Sequence, residues 1–174
     1  MSPLLQKLTG GDRRQTGNSN KVIAQVLKNP NLFTELFSGL TSNDPLVRMR
    51  AADAVEKISR QKPSLLKPHK KELLKILSKT DEQEVAWHCS LMAPRLTLTK
   101  QQCARVWEVL KSFLGANSRI QRVTALKGLV DLTAQDASHL NDVKRIVKKA
   151  LMADLPSVRA RARMLQKQLS KQTP

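Results

Sequence analysis

Apolar residues recur at helical spacing along most of the chain. The first clear example is residues 46–58, LVRMRAADAVEKI. Its apolar positions follow the spacing i, i+4, i+7, i+8 and i+11, and they are Val47, Ala51, Ala54, Val55 and Ile58. This spacing places them on one face of an α-helix. No stretch shows the sustained apolar–polar alternation of a β-strand. The pattern predicts an all-α protein.

The same pattern returns three times at a regular distance. The later copies read EVAWHCSLMAPRL, IQRVTALKGLVDL and SVRARARMLQKQL. A small residue occupies the same position in every copy, and these residues are Ala51, Cys89, Ala125 and Ala162. They lie 38, 36 and 37 residues apart. A fixed period of this length predicts tandem repeats, and small side chains let two helices approach closely.

A second helical pattern lies between consecutive copies, in residues 64–79, 99–114 and 138–152. Helix-start signals precede several helices, because Asp44 stands before Pro45 and the pairs Thr80–Gln83 and Thr99–Gln102 have the spacing of a capping box. Each repeat is therefore predicted to consist of two helices joined by a turn. Such a unit buries its apolar face only by stacking on its neighbours.

The segment DPLVRMRAADAVEKI resembles the first helix of a HEAT repeat, with Asp and Pro at its start and Ala at the close contact. The resemblance implies a right-handed α-solenoid of about four to five helical hairpins. It also implies a single repeat domain over residues 1–174. We divide this domain into an N-terminal helix or loop (1–20), a first helix pair (21–42), three full repeats (43–79, 80–115 and 116–152), a terminal helix (153–169) and a tail (170–174).

The N-terminal part leaves two interpretations open. Residues 10–20, GGDRRQTGNSN, are either a basic loop or helical turns capped by Asp12, and we favour the helix. This part, running into RMRAADAVEKI, resembles short bacterial HEAT-like proteins, which carry no assigned role. Because HEAT arrays serve many unrelated tasks, the resemblance predicts fold more strongly than function.

Two arginines in the first copy have different expected roles. Arg48 recurs as Arg122 and Arg159, whereas Arg50 aligns with His88, Thr124 and Arg161. In HEAT families the recurring arginine pairs with the acidic residue that opens a helix in a neighbouring repeat. Asp44 and Glu82 fit that acidic position, so the resemblance implies a partial ladder. Arg50 is not required by the repeat, and we predict that it is free to bind a partner.

Charge indicates the kind of partner. Lys and Arg total 31 against 14 acidic residues, a net charge of +17, which attracts polyanions. Basic residues recur at helical spacing away from the apolar faces, namely Lys67, Lys71, Lys75 and Lys79, then Lys144, Arg145, Lys148 and Lys149, and finally Arg159 and Arg163. They form either a solvated lysine face or a basic concave surface that holds an acidic protein or a nucleic acid.

The aromatic residues argue against base stacking as the main mode of binding. Trp107 lies on an apolar stripe and is predicted to be core, and Trp87 is a candidate contact residue at the flank of its helix. The chain has only two Trp and three Phe, too few for a stacking platform. A HEAT-like DNA glycosylase activity remains an alternative, although its catalytic residues have no match here.

We expect a non-catalytic protein without a cofactor, metal or small-molecule substrate. The three histidines are scattered, and His88 and Cys89 diverge by about 100° on a helix, a poor geometry for a catalytic dyad. Cys89 and Cys103 make no C-x-x-C pair, which favours reduced thiols. With neither a signal peptide nor a membrane span in the sequence, we expect a cytoplasmic protein without membrane contact.

Overall fold

A computed structural model describes residues 1–12 and 17–171 of the chain. These residues are 78% helical and contain no strand, so the all-α prediction is confirmed. Their ten α-helices are α1 (Pro3–Gln6), α2 (Ser19–Lys28), α3 (Phe33–Ser38), α4 (Pro45–Gln61), α5 (Lys70–Lys79), α6 (Gln83–Met92), α7 (Lys100–Phe113), α8 (Arg119–Leu132), α9 (Leu140–Ala150) and α10 (Pro156–Ser170). Five short 3₁₀ turns are Pro30–Leu32, Gly39–Thr41, Pro63–His69, Ala93–Arg95 and Ala137–His139.

The chain divides into two compact units, Met1–Met92 and Ala93–Pro174. We call them unit 1 and unit 2. The repeat period, the right-handed solenoid and its four to five hairpins stay predictions.

Helix α4 is the centre of unit 1, where it packs against α2, α3 and α6. Its five predicted apolar positions are all fully buried. Asp44 caps the helix, because its carboxylate accepts a hydrogen bond from the Leu46 backbone N–H at 2.8 Å. Residue 39 must be glycine here, because a Cβ added to Gly39 would lie only 2.7 Å from the Cβ of Ala51. The turn before α4 thus approaches the helix closely.

Helix α8 has the corresponding place in unit 2, where it packs against α7 and α10, and α10 also packs against α9. The small residues Ala125 and Ala162 are fully buried on these helices. Thr99 and Gln102 form the predicted capping box at the start of α7. The second predicted box is wrong, because α6 begins only at Gln83 and Thr80 accepts from the Glu82 N–H instead.

The predicted helix over residues 64–79 is interrupted. Its first part is the 3₁₀ turn Pro63–His69, and α5 begins at Lys70. Pro68 explains the break, because proline has no N–H to donate and disfavours helical geometry in the residue before it. Lys67 therefore lies outside α5, and only three lysines of the predicted stripe share that helix.

The N-terminal segment also differs from the favoured interpretation. Helix α2 begins at Ser19, so no continuous helix runs from Asp12 into α2. Gly10, Gly11 and Gly17 have φ values of +72°, +76° and +53°, in the left-handed region that glycine adopts without strain. Residues 13–16, and residues 172–174 of the predicted tail, lie outside the described residues.

Arg50 is buried, so its predicted role as a free partner-binding residue is wrong. Only 2% of Arg50 is exposed. Its Nη1 donates hydrogen bonds to the carbonyl oxygens of Leu8 at 2.8 Å and Gly10 at 2.7 Å, and its Nη2 donates to that of Asp12 at 3.0 Å. A Cβ on Gly17 would come within 3.0 Å of the same guanidinium. Arg50 thus links the N-terminal segment to α4 by hydrogen bonds.

The substitution Arg50→Ala should lower the free energy of unfolding by about 3 kcal/mol, because it removes the donor of three carbonyl oxygens and leaves a cavity. The free energy of unfolding of Arg50→Lys should lie between those of Arg50→Ala and the unsubstituted protein, because one ammonium group replaces two donor nitrogens. Urea denaturation followed by circular dichroism measures both. Lys71→Ala, an exposed change in the same unit, serves as the control and should stay within about 0.5 kcal/mol. A loss below about 1 kcal/mol for Arg50→Ala would contradict this role.

Candidate polyanion-binding site

The recurring arginine makes the same local contact in three helices. Arg48, Arg122 and Arg159 are each the fourth residue of their helix, α4, α8 and α10. Each guanidinium donates a hydrogen bond to the carbonyl oxygen six residues earlier, and the acceptors are Ser42, Ala116 and Ala153. A charged donor of this kind stabilises more than a neutral one. The arginine therefore holds the turn that leads into its own helix.

Arg48 makes a second contact of the predicted kind. Its Nη2 forms an ion pair with the carboxylate of Glu82, which lies just before α6. In α10, Arg159 instead binds Asp154 through the main-chain oxygen of that residue, at 2.9 Å. The structural role predicted for Arg48 is confirmed. Arg159 makes the same structural contact and is half-buried, and its assignment to a partner-binding surface stays a prediction.

The lysines of unit 1 form a basic face that includes an acidic group. Lys71, Lys75 and Lys79 are exposed on α5. Nζ of Lys75 lies 3.6 Å from a carboxylate oxygen of Glu72. Lys75, Lys79 and Glu72 line the same small cavity of about 240 Å³. The Glu72 carboxylate reduces the positive potential there, so this face is the weaker candidate for binding an anion.

The basic residues of α9 divide between two sides of that helix. Lys144, Arg145, Lys148 and Lys149 are all exposed. Arg145 forms an ion pair with Asp142, and the hydrogen bond from Arg145 lowers the pKa of the Asp142 carboxyl. Lys144 and Lys148 line a cavity of about 540 Å³. Lys149 lines a different groove. Two of the four cations therefore converge on one cavity.

The far wall of this cavity is α10. Gln166 and Ser170 line it with polar groups, and Val147, Leu151 and Leu169 supply apolar surface. Arg163 is exposed on α10 and precedes Gln166 by three residues, which places it on the same stripe as Gln166 and Ser170. We call Lys144, Lys148, Arg163, Gln166 and Ser170 the α9–α10 basic groove.

The two tryptophans have different environments. Trp107 is 3% exposed and stacks on the ring of His139, with ring centroids 4.1 Å apart, so its predicted core role is confirmed. Trp87 is half-buried and meets His88 edge to face at 5.7 Å. The Nδ1 of His88 is buried without a hydrogen-bond partner, and burial lowers the pKa of this histidine. His88 is therefore neutral near pH 7.

Other chemistry has little support among the described residues. Cys89 and Cys103 are buried, and burial raises the pKa of the Cys89 thiol to about 12, so this thiol is a poor nucleophile. Within residues 1–12 and 17–171, no cluster of three His, Cys, Asp or Glu side chains is placed to hold a metal ion. None of the helices in these ranges is long and apolar enough to span a bilayer.

Comparisons of the chain with protein-family models, with curated proteins and with solved structures find no match.

Replacing Arg159, which is half-buried, and Arg163, which is exposed, should separate the roles of these two α10 arginines. Arg159→Ala should lower the free energy of unfolding by about 1 kcal/mol, because two main-chain carbonyls lose a charged donor that is partly open to solvent. Arg163→Ala, one turn later on the same helix, should change it by less than about 0.5 kcal/mol. Urea denaturation of both variants measures the difference. Equal losses would show that Arg159 does not hold the turn.

Proposed function

We propose that the chain is a non-catalytic binding protein that holds an acidic macromolecule in the α9–α10 basic groove. The observation that carries the proposal is the convergence of Lys144 and Lys148 on one cavity, and none of its described lining residues is acidic. The net charge of unit 2 also favours anion binding, because residues 93–174 contain 16 basic and 5 acidic residues, a net charge of +11. A field of this sign raises the local concentration of anions.

The groove in unit 2 is a better candidate than the α5 face of unit 1. On α5, Glu72 lies next to Lys75 and offsets part of its charge. In α10, Arg163 and Lys167 are exposed at i, i+4 spacing, and the helix contains no acidic residue. Like charges this close repel one another, and a bound polyanion relieves that repulsion.

The partner is an acidic protein or a nucleic acid, and both offer the same ligand chemistry of closely spaced anionic oxygens. DNA or RNA binding proper is the alternative. It would rest on phosphate contacts without base stacking, because Trp107 is already stacked on His139 in the core. Because Trp107 is buried, it does not support the glycosylase-like alternative, which needs a tryptophan exposed to DNA. The HEAT-like solenoid belongs to the proposal as a scaffold that presents this surface.

Fluorescence anisotropy with a labelled polyglutamate peptide and a labelled random DNA duplex tests the proposal. We expect binding at about 50 mM salt that weakens steeply as salt rises. For DNA held by three phosphate contacts, affinity should fall roughly 40-fold between about 50 and 200 mM salt. The double variant Lys144→Glu/Lys148→Glu should remove two contacts and lower the slope of log affinity against log salt by about two.

The matched control is Lys71→Glu/Lys75→Glu, which makes the same charge change on α5 and should leave the slope nearly unchanged. Absence of binding to both probes at about 50 mM salt would contradict the proposal, because phosphate and carboxylate contacts are strong under these conditions. Absence of binding to the duplex alone would remove the nucleic-acid alternative. Equal effects of the two double variants would contradict the choice of the α9–α10 basic groove.

A further inference from the structure

Unit 2 contains a second groove with different chemistry, formed by the ends of α7 and α9 and the starts of α8 and α10. Its volume is about 630 Å³, within the range of ligand-binding clefts. Apolar side chains supply its floor, and they are Leu114, Leu126, Ile146, Ala150 and Val158. We call it the turn groove, because it lies beside the turns that lead into α8 and α10.

The rim of the turn groove combines an exposed apolar side chain with cations. Met152 lines the groove and is 84% exposed, the largest exposure among the exposed large hydrophobic residues of the described chain. Lys149 lines it as well and is exposed. Lys111 also lines it, and Nζ of Lys111 lies 3.8 Å from a carboxylate oxygen of the exposed Glu108. Methionine is flexible and polarisable and is common on surfaces that accept apolar side chains of a partner. An apolar floor inside a cationic rim favours an anionic amphiphile as the occupant.

Charge argues against two other occupants. A second copy of the chain would bring a net charge of +17 against a unit that carries +11, so self-association here is opposed by repulsion. A nucleic acid would satisfy the lysines and leave the apolar floor uncovered. An amphipathic helix fits both features, because its leucine face lies on an apolar groove while acidic residues on its flanks meet the rim.

We infer that the turn groove binds an acidic amphipathic helix of a partner protein. Apolar side chains of that helix contact Ile146 and Met152, and its carboxylates pair with Lys111 and Lys149. The inference rests on the proposed function for the acidic character of the partner. It extends that function because it identifies the partner as a protein and gives it a second site, with lining residues that differ from those of the α9–α10 basic groove.

A synthetic labelled peptide of about 18 residues, with leucine at i, i+3, i+4 and i+7 and glutamate on the flanks, is a suitable probe. We expect it to bind the full chain in an anisotropy titration. A second peptide with glutamine in place of each leucine keeps the charge and loses the apolar face, and should bind about tenfold more weakly. Equal affinity of the two peptides would overturn the inference.

Two matched pairs of variants locate the binding site. Met152→Lys should weaken binding of the leucine peptide about tenfold, whereas Met164→Lys, at another exposed methionine that does not line the groove, should change it less than about threefold. Lys149→Glu should weaken it about tenfold, and Lys71→Glu, the same charge change on the exposed face of α5, less than about threefold. Thermal melting followed by circular dichroism checks that each variant is folded.

The outcomes separate this inference from the proposed function. Loss of peptide binding in Lys144→Glu/Lys148→Glu, with none in Met152→Lys and Lys149→Glu, would overturn the turn groove and leave the proposed function standing. Binding of dodecanoate without binding of the leucine peptide would also overturn the inference, because the occupant would then be a small amphiphile. If Met152→Lys and Met164→Lys weaken binding of the leucine peptide equally, the inference is also overturned.

Discussion

An arginine that holds the turn before its own helix is the contact on which the architecture of this chain depends. It occurs at the fourth position of α4, α8 and α10, and each time the acceptor is a main-chain carbonyl six residues earlier. These carbonyls lie three residues before the first residue of the helix, in the turn, so they take no part in the hydrogen bonds within the helix, and burying a carbonyl without a donor is costly. The guanidinium supplies that donor and fixes how the chain enters the helix, which sets the position of the small buried residue one turn later.

This contact also separates the cations that lie inside the fold from those on its surface. Arg48, Arg50, Arg122 and Arg159 all donate to main-chain oxygens and are buried or half-buried. Lys144, Lys148 and Arg163 are exposed. Arginine suits the structural role because its planar fork presents several donors at once, whereas lysine is a compact charge on a flexible stem. The basic residues therefore have two roles: arginines inside the fold donate hydrogen bonds to main-chain oxygens, and exposed cations give the surface its positive charge.

The sequence predicted the all-α class and the buried faces well, because helical periodicity depends only on which residues are apolar. It also predicted the core role of Trp107 and the capping box of Thr99, and the HEAT resemblance implied an acidic partner for Arg48, which is Glu82. Arg50 was assigned wrongly, since its acceptors are the carbonyls of residues 40 or so positions away, and every residue type carries a carbonyl. The acceptors six residues before each recurring arginine were missed for the same reason. The constant position of the arginine, fourth in its helix, could have indicated a contact with the preceding turn. The two grooves of unit 2 depend on how helices pack, which periodicity does not give.

Lysine footprinting tests the central claim most directly, because it reports where an acidic partner lies without changing the chain. The full chain would be acetylated with a limiting reagent, alone and with saturating polyglutamate, and the modification of each lysine measured by mass spectrometry. The claim predicts strong protection of Lys144 and Lys148 and little protection of Lys71 and Lys79. Protection of the α5 lysines with none at Lys144 and Lys148, or uniform protection of all of them, would contradict it.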